Sequence, residues 1–179
     1  PEFFKESLCK FDMLKEPPKL KDSLRGLPLG EVGLLVAPGA TGKSYFVLNM
    51  LLASCGLTKN HLIEKPMKVL YVSLEDRLQD ISRRGNSFKV ELGLNEEKLK
   101  GTDIDFKIIE NKSAERLIDK GVAQQDNKFW QALNNVIKEE KYELVVIDTL
   151  IKTYTGFEEN NNADMSLVLS HFNTMAIEN

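Results

Sequence analysis

The sequence predicts an α/β fold with a mainly parallel sheet flanked by helices. Three short apolar runs predict buried strands: VGLLVA at 32–37, KVLYVSL at 68–74 and YELVVID at 142–148. Segments with helical spacing of apolar residues separate and follow these runs. Because strands that alternate with helices need crossover connections, we expect parallel strands with helices on both faces of the sheet.

The first half of the chain divides into an arm and the start of the folded domain. Residues 1–26 contain scattered apolar positions and two adjacent prolines, and they are predicted to form an extended N-terminal arm. The domain is predicted to span residues 27–179. After the first strand, apolar residues predict a helix over 43–55, with Gly56 as its C-terminal stop. A further helix is predicted within 77–94.

The second half continues the alternation of strands and helices. A short strand is predicted over 104–110. Ser113 is a candidate N-cap for a short helix that ends at Gly121. Apolar residues at helical spacing from Asp126 onwards predict an amphipathic helix that packs against the sheet, with Trp130 in the core. A polar loop follows the third strand, and the sequence MSLVLSHFNTMA then predicts a final helix.

Composition and charge exclude several classes of protein. With 42% hydrophobic and 28% charged residues, the 179-residue chain falls in the globular range and outside disordered or collagen-like compositions. Its net charge of −3 provides no basic surplus for binding nucleic acid over the whole surface. No apolar run reaches the length of about 18 residues that a membrane span needs, so the cytoplasm is the expected location. Cys9 and Cys55 lack metal-site spacing and are expected to be free thiols.

The stretch APGATGKS at 37–44 lies between a predicted strand and a predicted helix, which is the context of a phosphate-binding P-loop. Its glycines let the backbone approach a phosphate, and successive N–H groups at a helix start form an anion site. The lysine adds a positive charge for the β- and γ-phosphates, and the serine hydroxyl is placed to bind Mg²⁺. Ala37 stands where the usual pattern has glycine. The predicted phosphate-binding residues are Pro38, Gly39, Ala40, Thr41, Gly42, Lys43 and Ser44.

Acidic residues follow the second and third strands. Asp148 ends the run LVVID at the carboxyl end of a strand, where ligands bind in open α/β sheets, and it is predicted to hold Mg²⁺ directly or through water. Glu75 follows the second strand and is a candidate base for the water that attacks the γ-phosphate. Asp76 is the competing candidate for that role. An N-cap or an acidic helix start is the alternative interpretation of this pair.

With APGATGKS, VLYVSLED and LVVIDTL in this order, the chain resembles the RecA-like P-loop ATPases. It resembles more closely the RepA-type hexameric replicative helicases of plasmids and phages. This closer likeness depends on the block GLPLGEVGLLVAPGATGKS, on the ED pair after the second strand, and on DTL before an EEN loop and a helix. The resemblance covers roughly residues 17–179. It implies a P-loop NTPase with a RecA-like, mainly parallel sheet flanked by helices.

The resemblance also implies roles for individual residues. Lys43 and Ser44 would be the Walker A lysine and Mg²⁺ ligand, Asp148 the Walker B aspartate, and Glu75 the catalytic base. Arg84 would lie near the nucleotide base or ribose, and a solvated position on a helix is the alternative. In this family another strand inserts between the P-loop strand and the Walker B strand. Since the sequence ends in a helix, the C-terminal strands are expected to be missing and the natural protein to be longer. His171 is expected to be a half-exposed surface histidine, not the family's sensor.

The function implied by the resemblance is binding and hydrolysis of ATP with Mg²⁺. In the full-length protein, hydrolysis would be coupled to translocation on single-stranded DNA or to unwinding in replication, within a homo-hexamer. This chain alone is expected to bind nucleotide better than it hydrolyses it. Two alternatives remain open: a P-loop kinase for a small molecule, and an ATP-regulated adaptor or loader whose acidic loop GFEENNNAD contacts a partner.

Overall fold

A computed structural model describes residues 21–95, 97, 106–110 and 116–179. Two 3₁₀ turns accompany the helices and strands, at Gln124–Asp126 and Leu150–Lys152. The helices and strands follow in this order: β1 Asp22–Leu24, β2 Leu27–Pro28, α1 Lys43–Ser54, β3 Val69–Ser73, α2 Leu78–Glu91, β4 Phe106–Glu110, β5 Ile118–Asp119, α3 Lys128–Glu140, β6 Leu144–Asp148, β7 Tyr154–Thr155 and α4 Asn162–Glu178.

Three strands form a parallel sheet in the order β4-β3-β6. The central strand, β3, is buried along its whole length. Ser73, its last residue, lies opposite Glu110 of β4 and Asp148 of β6, so the three strands end level with one another. The predicted α/β fold with a parallel sheet is confirmed, and the carboxyl ends of its strands form one common edge.

Helices cover both faces of this sheet. Strand residues alternate between the two faces, as the two-residue period of a strand requires. On one face, α1 and α2 pack against the strands through Val47, Leu48, Leu51 and Ile81, which contact Val69, Tyr71 and Val146. On the other face, α3 and α4 contribute Trp130, Leu133, Ile137, Val168, Phe172 and Met175, which pack around Leu70 and Val72.

The direction of α1 places its first residues at the carboxyl edge of the sheet. The N–H of Met67, just before β3, donates a hydrogen bond of 3.0 Å to the carbonyl of Ser54, at the end of α1. The helix therefore ends where β3 begins. From Ser44 to Ser54 the helix rises about 15 Å, and the chain from Met67 to Ser73 spans about 20 Å. Because the helix packs along the strand, its first turn lies near the carboxyl ends of β3 and β6.

Residues 32–37, predicted to form the first strand, are not part of a hydrogen-bonded ladder among the described residues. Leu34, Leu35 and Val36 are 54%, 54% and 82% exposed, whereas Val32 packs against the core on the α3 and α4 face. An apolar run becomes a sheet strand only where a neighbouring strand accepts and donates its backbone hydrogen bonds. The run lies next to no such neighbour in the part of the chain that the structure describes.

The helix predicted between Ser113 and Gly121 is wrong over its described part. Ile118 and Asp119 form β5, which pairs in parallel with β7, and Ser113 lies outside the described residues. The residues Leu117 and Ile118 are fully buried, so long-range pairing has overridden the local helical pattern. The final helix begins at Asn162, earlier than expected, because the side chain of Asn161 accepts hydrogen bonds from two N–H groups of its first turn.

The predicted arm over residues 1–26 lies mostly outside the described residues. In the described part, β1 and β2 form an antiparallel hairpin that crosses the predicted boundary at residue 27. The N–H of Gly26 donates to the carboxylate of Asp22 across the turn. Arg25 forms an exposed ion pair with Glu64, which ties this hairpin to the segment before β3. The division of the chain at residue 27 stays a prediction.

Candidate phosphate-binding site

The loop before α1 has the backbone conformation of an anion-binding nest. Ala40 and Gly42 have φ values of +58° and +94°, both in the left-handed region, on either side of Thr41. Alternation between left-handed and other conformations points successive N–H groups toward one concave side. The hydroxyl of Thr41 donates a hydrogen bond of 2.8 Å to the carbonyl of Pro38, which closes the loop upon itself. Gly42 is required here because a side chain strains a φ of +94°.

The side chain of Lys43 folds back across this loop. Its ammonium donates hydrogen bonds to the carbonyls of Ala37, at 2.7 Å, and of Pro38, at 2.8 Å. The first residue of α1 is thus bonded to the first two residues of the loop. This arrangement keeps a positive charge within the loop, beside the N–H groups of the nest.

No contact or backbone angle within the described chain explains why residue 39 is a glycine. Its φ lies outside the left-handed range, and a Cβ built on it would meet no atom within 4 Å. Neither strain nor packing therefore demands glycine at this position. Close approach of a ligand to the backbone would demand it, and phosphate-binding loops use glycine for that reason.

Asp148 ends β6 on the face that α1 covers. On β6, Val146 lies opposite Tyr71 and Asp148 lies opposite Ser73. Because every second residue of a strand faces the same side of the sheet, Tyr71, Val146 and Asp148 share one face. The hydroxyl of Tyr71 donates a hydrogen bond of 2.9 Å to Oδ2 of Asp148. Burial, and then the adjacent Asp148 carboxylate, raise the pKa of Tyr71 well above its ordinary value, so the phenol stays a neutral donor at physiological pH.

Ser44 and Asp148 fit the ligand preferences of Mg²⁺. Both supply oxygen, and Mg²⁺ is usually held by one or two carboxylates together with phosphate oxygens and water. Ser44 is the second residue of α1, and its hydroxyl has no hydrogen-bond partner within the described ranges. No cluster of three or more His, Cys, Asp or Glu residues occurs in the described part of the chain. An ion here would therefore complete its shell with phosphate and water.

The two acidic residues after β3 have different surroundings. Arg84 of α2 binds the Asp76 carboxylate with both terminal nitrogens, and the bond from Nη2 to Oδ1 is 3.0 Å long. This pair is mostly buried, and the hydrogen bonds that Arg84 donates to Asp76 raise the pKa of Arg84. The hydroxyl of Ser73 also donates to the Asp76 carbonyl. Glu75 is exposed, and its carboxylate makes no hydrogen bond to any described residue. Of the two carboxylates, Glu75 is the one left available at the edge of the sheet.

The structure brings most of the predicted site residues to one edge. Lys43 and Ser44 begin α1, Asp148 ends β6, and Glu75 follows β3 at the same edge. Arg84 instead contacts Asp76, and its predicted place near a nucleotide base or ribose stays a prediction. Tyr71 was not among the site residues predicted from the sequence. The signal was a tyrosine within the otherwise aliphatic run VLYV of a buried strand, since a buried tyrosine hydroxyl usually has a partner.

Three other residues singled out in the sequence are buried or half-buried. Trp130 is 5% exposed and belongs to the core, as predicted. His171 is half-buried, and its ring lies edge-on to Trp130 with centroids 6.1 Å apart. Burial lowers the pKa of His171. Cys55 is a buried free thiol.

A separate open cleft of about 410 Å³ lies beside β5, β7 and the start of α3. Its polar lining includes two basic and two acidic side chains, contributed by Arg116, Lys128, Asp119 and Asp126. This mixture favours no single ligand charge. Among the described helices, none combines the length and the apolar character needed to cross a bilayer.

A comparison with known protein families found a match. A family model described as an AAA domain matches residues 5–179. A search of curated proteins found no match. The parallel sheet and flanking helices agree with the domain that the family match implies. The finer likeness to RepA-type helicases stays a prediction. The chain belongs to the AAA domain family and is an ATP-binding P-loop ATPase domain.

Proposed function

We propose that this domain binds ATP with Mg²⁺ at the loop of residues 37–44 and hydrolyses it. In the complete protein, we propose, hydrolysis drives movement along single-stranded DNA within a homo-hexameric ring. The observation that carries the ATPase part is that the Lys43 ammonium is held within the loop by the carbonyls of Ala37 and Pro38, in a chain that matches an AAA domain. The resemblance to hexameric replicative helicases supports the part concerning DNA.

Binding would depend on charge and on backbone donors. Lys43 would place its ammonium against the β- and γ-phosphates while the N–H groups around Thr41 bind the same oxygens. The start of α1 adds the positive end of a helix dipole. These donors are held by the hydrogen bonds within the loop before any ligand arrives, so little further ordering is needed.

Ser44 and Asp148 would hold Mg²⁺, directly or through water. The ion supplies positive charge that neutralises the triphosphate and stabilises charge on the leaving oxygens. Asp148 is suited to this role because it is the last residue of a strand at the common carboxyl edge of the sheet.

Glu75 would orient the attacking water and accept its proton. The water oxygen forms a bond to the γ-phosphorus while the bond from phosphorus to the bridging oxygen of ADP breaks. Asp76 is a poorer candidate because Arg84 binds its carboxylate through two hydrogen bonds. The exposed and unbonded carboxylate of Glu75 supports water, and not an enclosed small molecule, as the acceptor of the phosphoryl group.

The test compares two variants that separate binding from hydrolysis. Lys43→Ala is expected to weaken ATP binding by about a hundredfold or more, since hydrogen bonds to charged groups contribute about 1.5–3 kcal/mol each. Glu75→Gln is expected to retain binding and to lose turnover by about a hundredfold or more. Calorimetric titration with ATP and Mg²⁺ measures binding, and phosphate release measures turnover. Lys59→Ala removes an exposed lysine far from the loop and is the matched control.

Unchanged ATP affinity in Lys43→Ala would contradict the proposed binding site, and full turnover in Glu75→Gln would contradict the proposed base. The coupling to DNA is tested by measuring which added molecule raises the rate of ATP turnover. Stimulation by single-stranded DNA is expected for a motor. Stimulation by a metabolite that becomes phosphorylated would favour a kinase instead, and nucleotide-dependent binding of a protein without stimulation would favour an adaptor.

A further inference from the structure

The hydrogen bond between Tyr71 and Asp148 joins a core residue to the proposed metal ligand. Building on the ATP and Mg²⁺ site proposed above, we propose that Tyr71 is a positioning residue for Asp148. Its hydroxyl holds Oδ2 of the carboxylate, so that Oδ1 is presented to the Mg²⁺ that accompanies the nucleotide. The bond is 2.9 Å long and links residues 77 positions apart in the sequence.

Tyr71 is a rigid support for this bond. It lies in the middle of the central strand and is 1% exposed. Its ring is packed on the α1 and α2 face among buried side chains, which include Val47, Leu48 and Ile81. Because the ring is enclosed on a strand with neighbours on both sides, its hydroxyl has one position, at the level where β6 ends. A metal-binding side chain that is hydrogen-bonded to a packed residue keeps its geometry better than one that contacts only solvent.

The remaining contacts of Asp148 leave one oxygen available. The carbonyl of Asp148 accepts a hydrogen bond of 2.6 Å from the N–H of Leu74, which fixes its backbone against β3. Oδ2 is held by Tyr71, and Oδ1 has no hydrogen-bond partner among residues 21–95, 106–110 and 116–179. With the backbone and one oxygen fixed, the direction of the other oxygen is fixed as well. The carboxylate is thus ordered before the ion binds.

Packing alone does not account for a tyrosine at this position. Phenylalanine would fill the same apolar face without a polar atom to satisfy. Tyr142 shows the contrast, since its buried hydroxyl has no hydrogen-bond partner within the described residues. The hydroxyl of Tyr71 is directed instead at a carboxylate of the site, and outer partners of metal ligands typically contribute about 10–100-fold to metal affinity.

The test measures how nucleotide binding depends on Mg²⁺. A fluorescent ADP analogue is titrated into the protein in EDTA and at increasing Mg²⁺ concentration. In Tyr71→Phe, the Mg²⁺ concentration that gives half of the Mg²⁺-dependent increase in nucleotide affinity is expected to rise about tenfold or more. The affinity for the nucleotide in EDTA is expected to be unchanged. Tyr142→Phe makes the same chemical change where no hydrogen bond is lost and is expected to match the wild type. If Tyr71→Phe does not fold, 4-fluorophenylalanine at position 71 keeps the volume of the hydroxyl but cannot donate.

An unchanged Mg²⁺ dependence in the position-71 variant would overturn the inference, as would an equal loss of affinity with and without Mg²⁺. An equal shift in Tyr142→Phe would also overturn it, because the effect would then not depend on the bond to Asp148. These outcomes are distinct from failure of the proposed function, in which the wild-type protein itself binds no nucleotide and Lys43→Ala changes nothing. Urea unfolding of each variant shows whether a change in affinity follows a change in stability.

Discussion

Arg84 determines which of two adjacent carboxylates remains available at the sheet edge. Asp76 and Glu75 are neighbours in the sequence, and either could orient a water molecule. The guanidinium of Arg84 binds Asp76 in a bidentate contact and leaves Glu75 exposed. Bidentate contacts of this kind fix the geometry of a carboxylate as well as its charge. Arg84 also ties α2 to the turn that follows β3.

The Arg84 contact is predicted to stabilise the fold measurably. Its side chain is 29% exposed and that of Asp76 is 19% exposed. Arg84→Ala is expected to lower the free energy of unfolding by about 1–2 kcal/mol, between the values for exposed pairs and for buried pairs that lose one partner. Urea unfolding measures the change.

Arg83→Ala is the matched control for this experiment. Arg83 precedes Arg84 in the same helix and pairs with Asp80, but its side chain is 79% exposed. Its replacement is expected to change stability by less than about 0.5 kcal/mol. Equal effects of the two replacements would show that the Asp76 contact contributes no more than a solvated surface pair.

At the scale of residues, the sequence predicted the parts of the site that occur within short motifs. Lys43, Ser44 and Asp148 each follow from a local pattern, because a loop or a strand end places them without reference to distant residues. Tyr71 could not be assigned in this way. Its contact depends on the alignment of β3 with β6, and a strand pattern does not reveal which neighbour lies beside it or in which register.

At the scale of elements, α4 is tied to the small sheet of β5 and β7 by an ion pair. The Lys120 ammonium contacts both oxygens of Asp164, at 2.8 and 3.0 Å. Asp164 also accepts a hydrogen bond from the N–H of Glu158, in the loop before α4. The hydrogen bond from Lys120, followed by that from Glu158, lowers the pKa of Asp164 below its ordinary value. The start of α4 therefore depends on an ionised carboxylate.

This pair predicts a pH dependence of stability. An unfolded aspartate titrates near pH 3.9, and the folded pKa of Asp164 is lower. The pair therefore contributes stability above about pH 4, and this contribution is lost as the pH falls through the folded pKa. Asp164→Asn is expected to be less stable than the wild type at pH 7, with a difference that shrinks below about pH 4. Urea unfolding at a series of pH values measures both effects.

The control for the pH experiment is Asp126→Asn. Asp126 is exposed and has no ion-pair partner in the part of the chain that the structure describes. The free energy of unfolding of Asp126→Asn is expected to fall below about pH 4 in the same way as that of the wild type. A stability difference for Asp164→Asn that is the same at pH 3 and pH 7 would contradict the assigned role of the ionised carboxylate.

The elements differ in how well local sequence predicted them. The helices α1 and α3 and the strands β3 and β6 have clear apolar periodicity, and the structure contains them near the predicted bounds. The short strand β5 was missed because two residues of pairing with β7 outweigh local helical preference. Residues 32–37 have the composition of a buried strand, but composition alone cannot supply a partner for a ladder.

At the scale of the whole molecule, the described surface includes an unpaired apolar run and an open strand. β6 has one hydrogen-bonded neighbour among the described strands, and Leu34, Leu35 and Val36 are exposed. Unpaired strand edges and exposed apolar runs promote association between chains. We expect this chain to self-associate as its concentration rises.

Replacement of Val36 by lysine is expected to reduce that association, because a charge on an exposed apolar run opposes pairing between chains. Light scattering gives the average mass at increasing protein concentration. Val90→Lys is the matched control: Val90 is 75% exposed on α2, and Val36 is 82% exposed. Association that persists unchanged in Val36→Lys, or that falls equally in Val90→Lys, would show that the run at 32–37 is not the surface involved.

The sequence by itself determined the α/β class, the candidate phosphate-binding loop and the acidic strand end, because each depends on residues close together along the chain. The tertiary structure alone decided which side chains share the sheet edge. The register of β3 and β6 brings Tyr71 to Asp148, and the packing of α2 brings Arg84 to Asp76 and leaves Glu75 open. These contacts join residues through space, and the distance between them is set by strand alignment and helix packing, which no local pattern encodes.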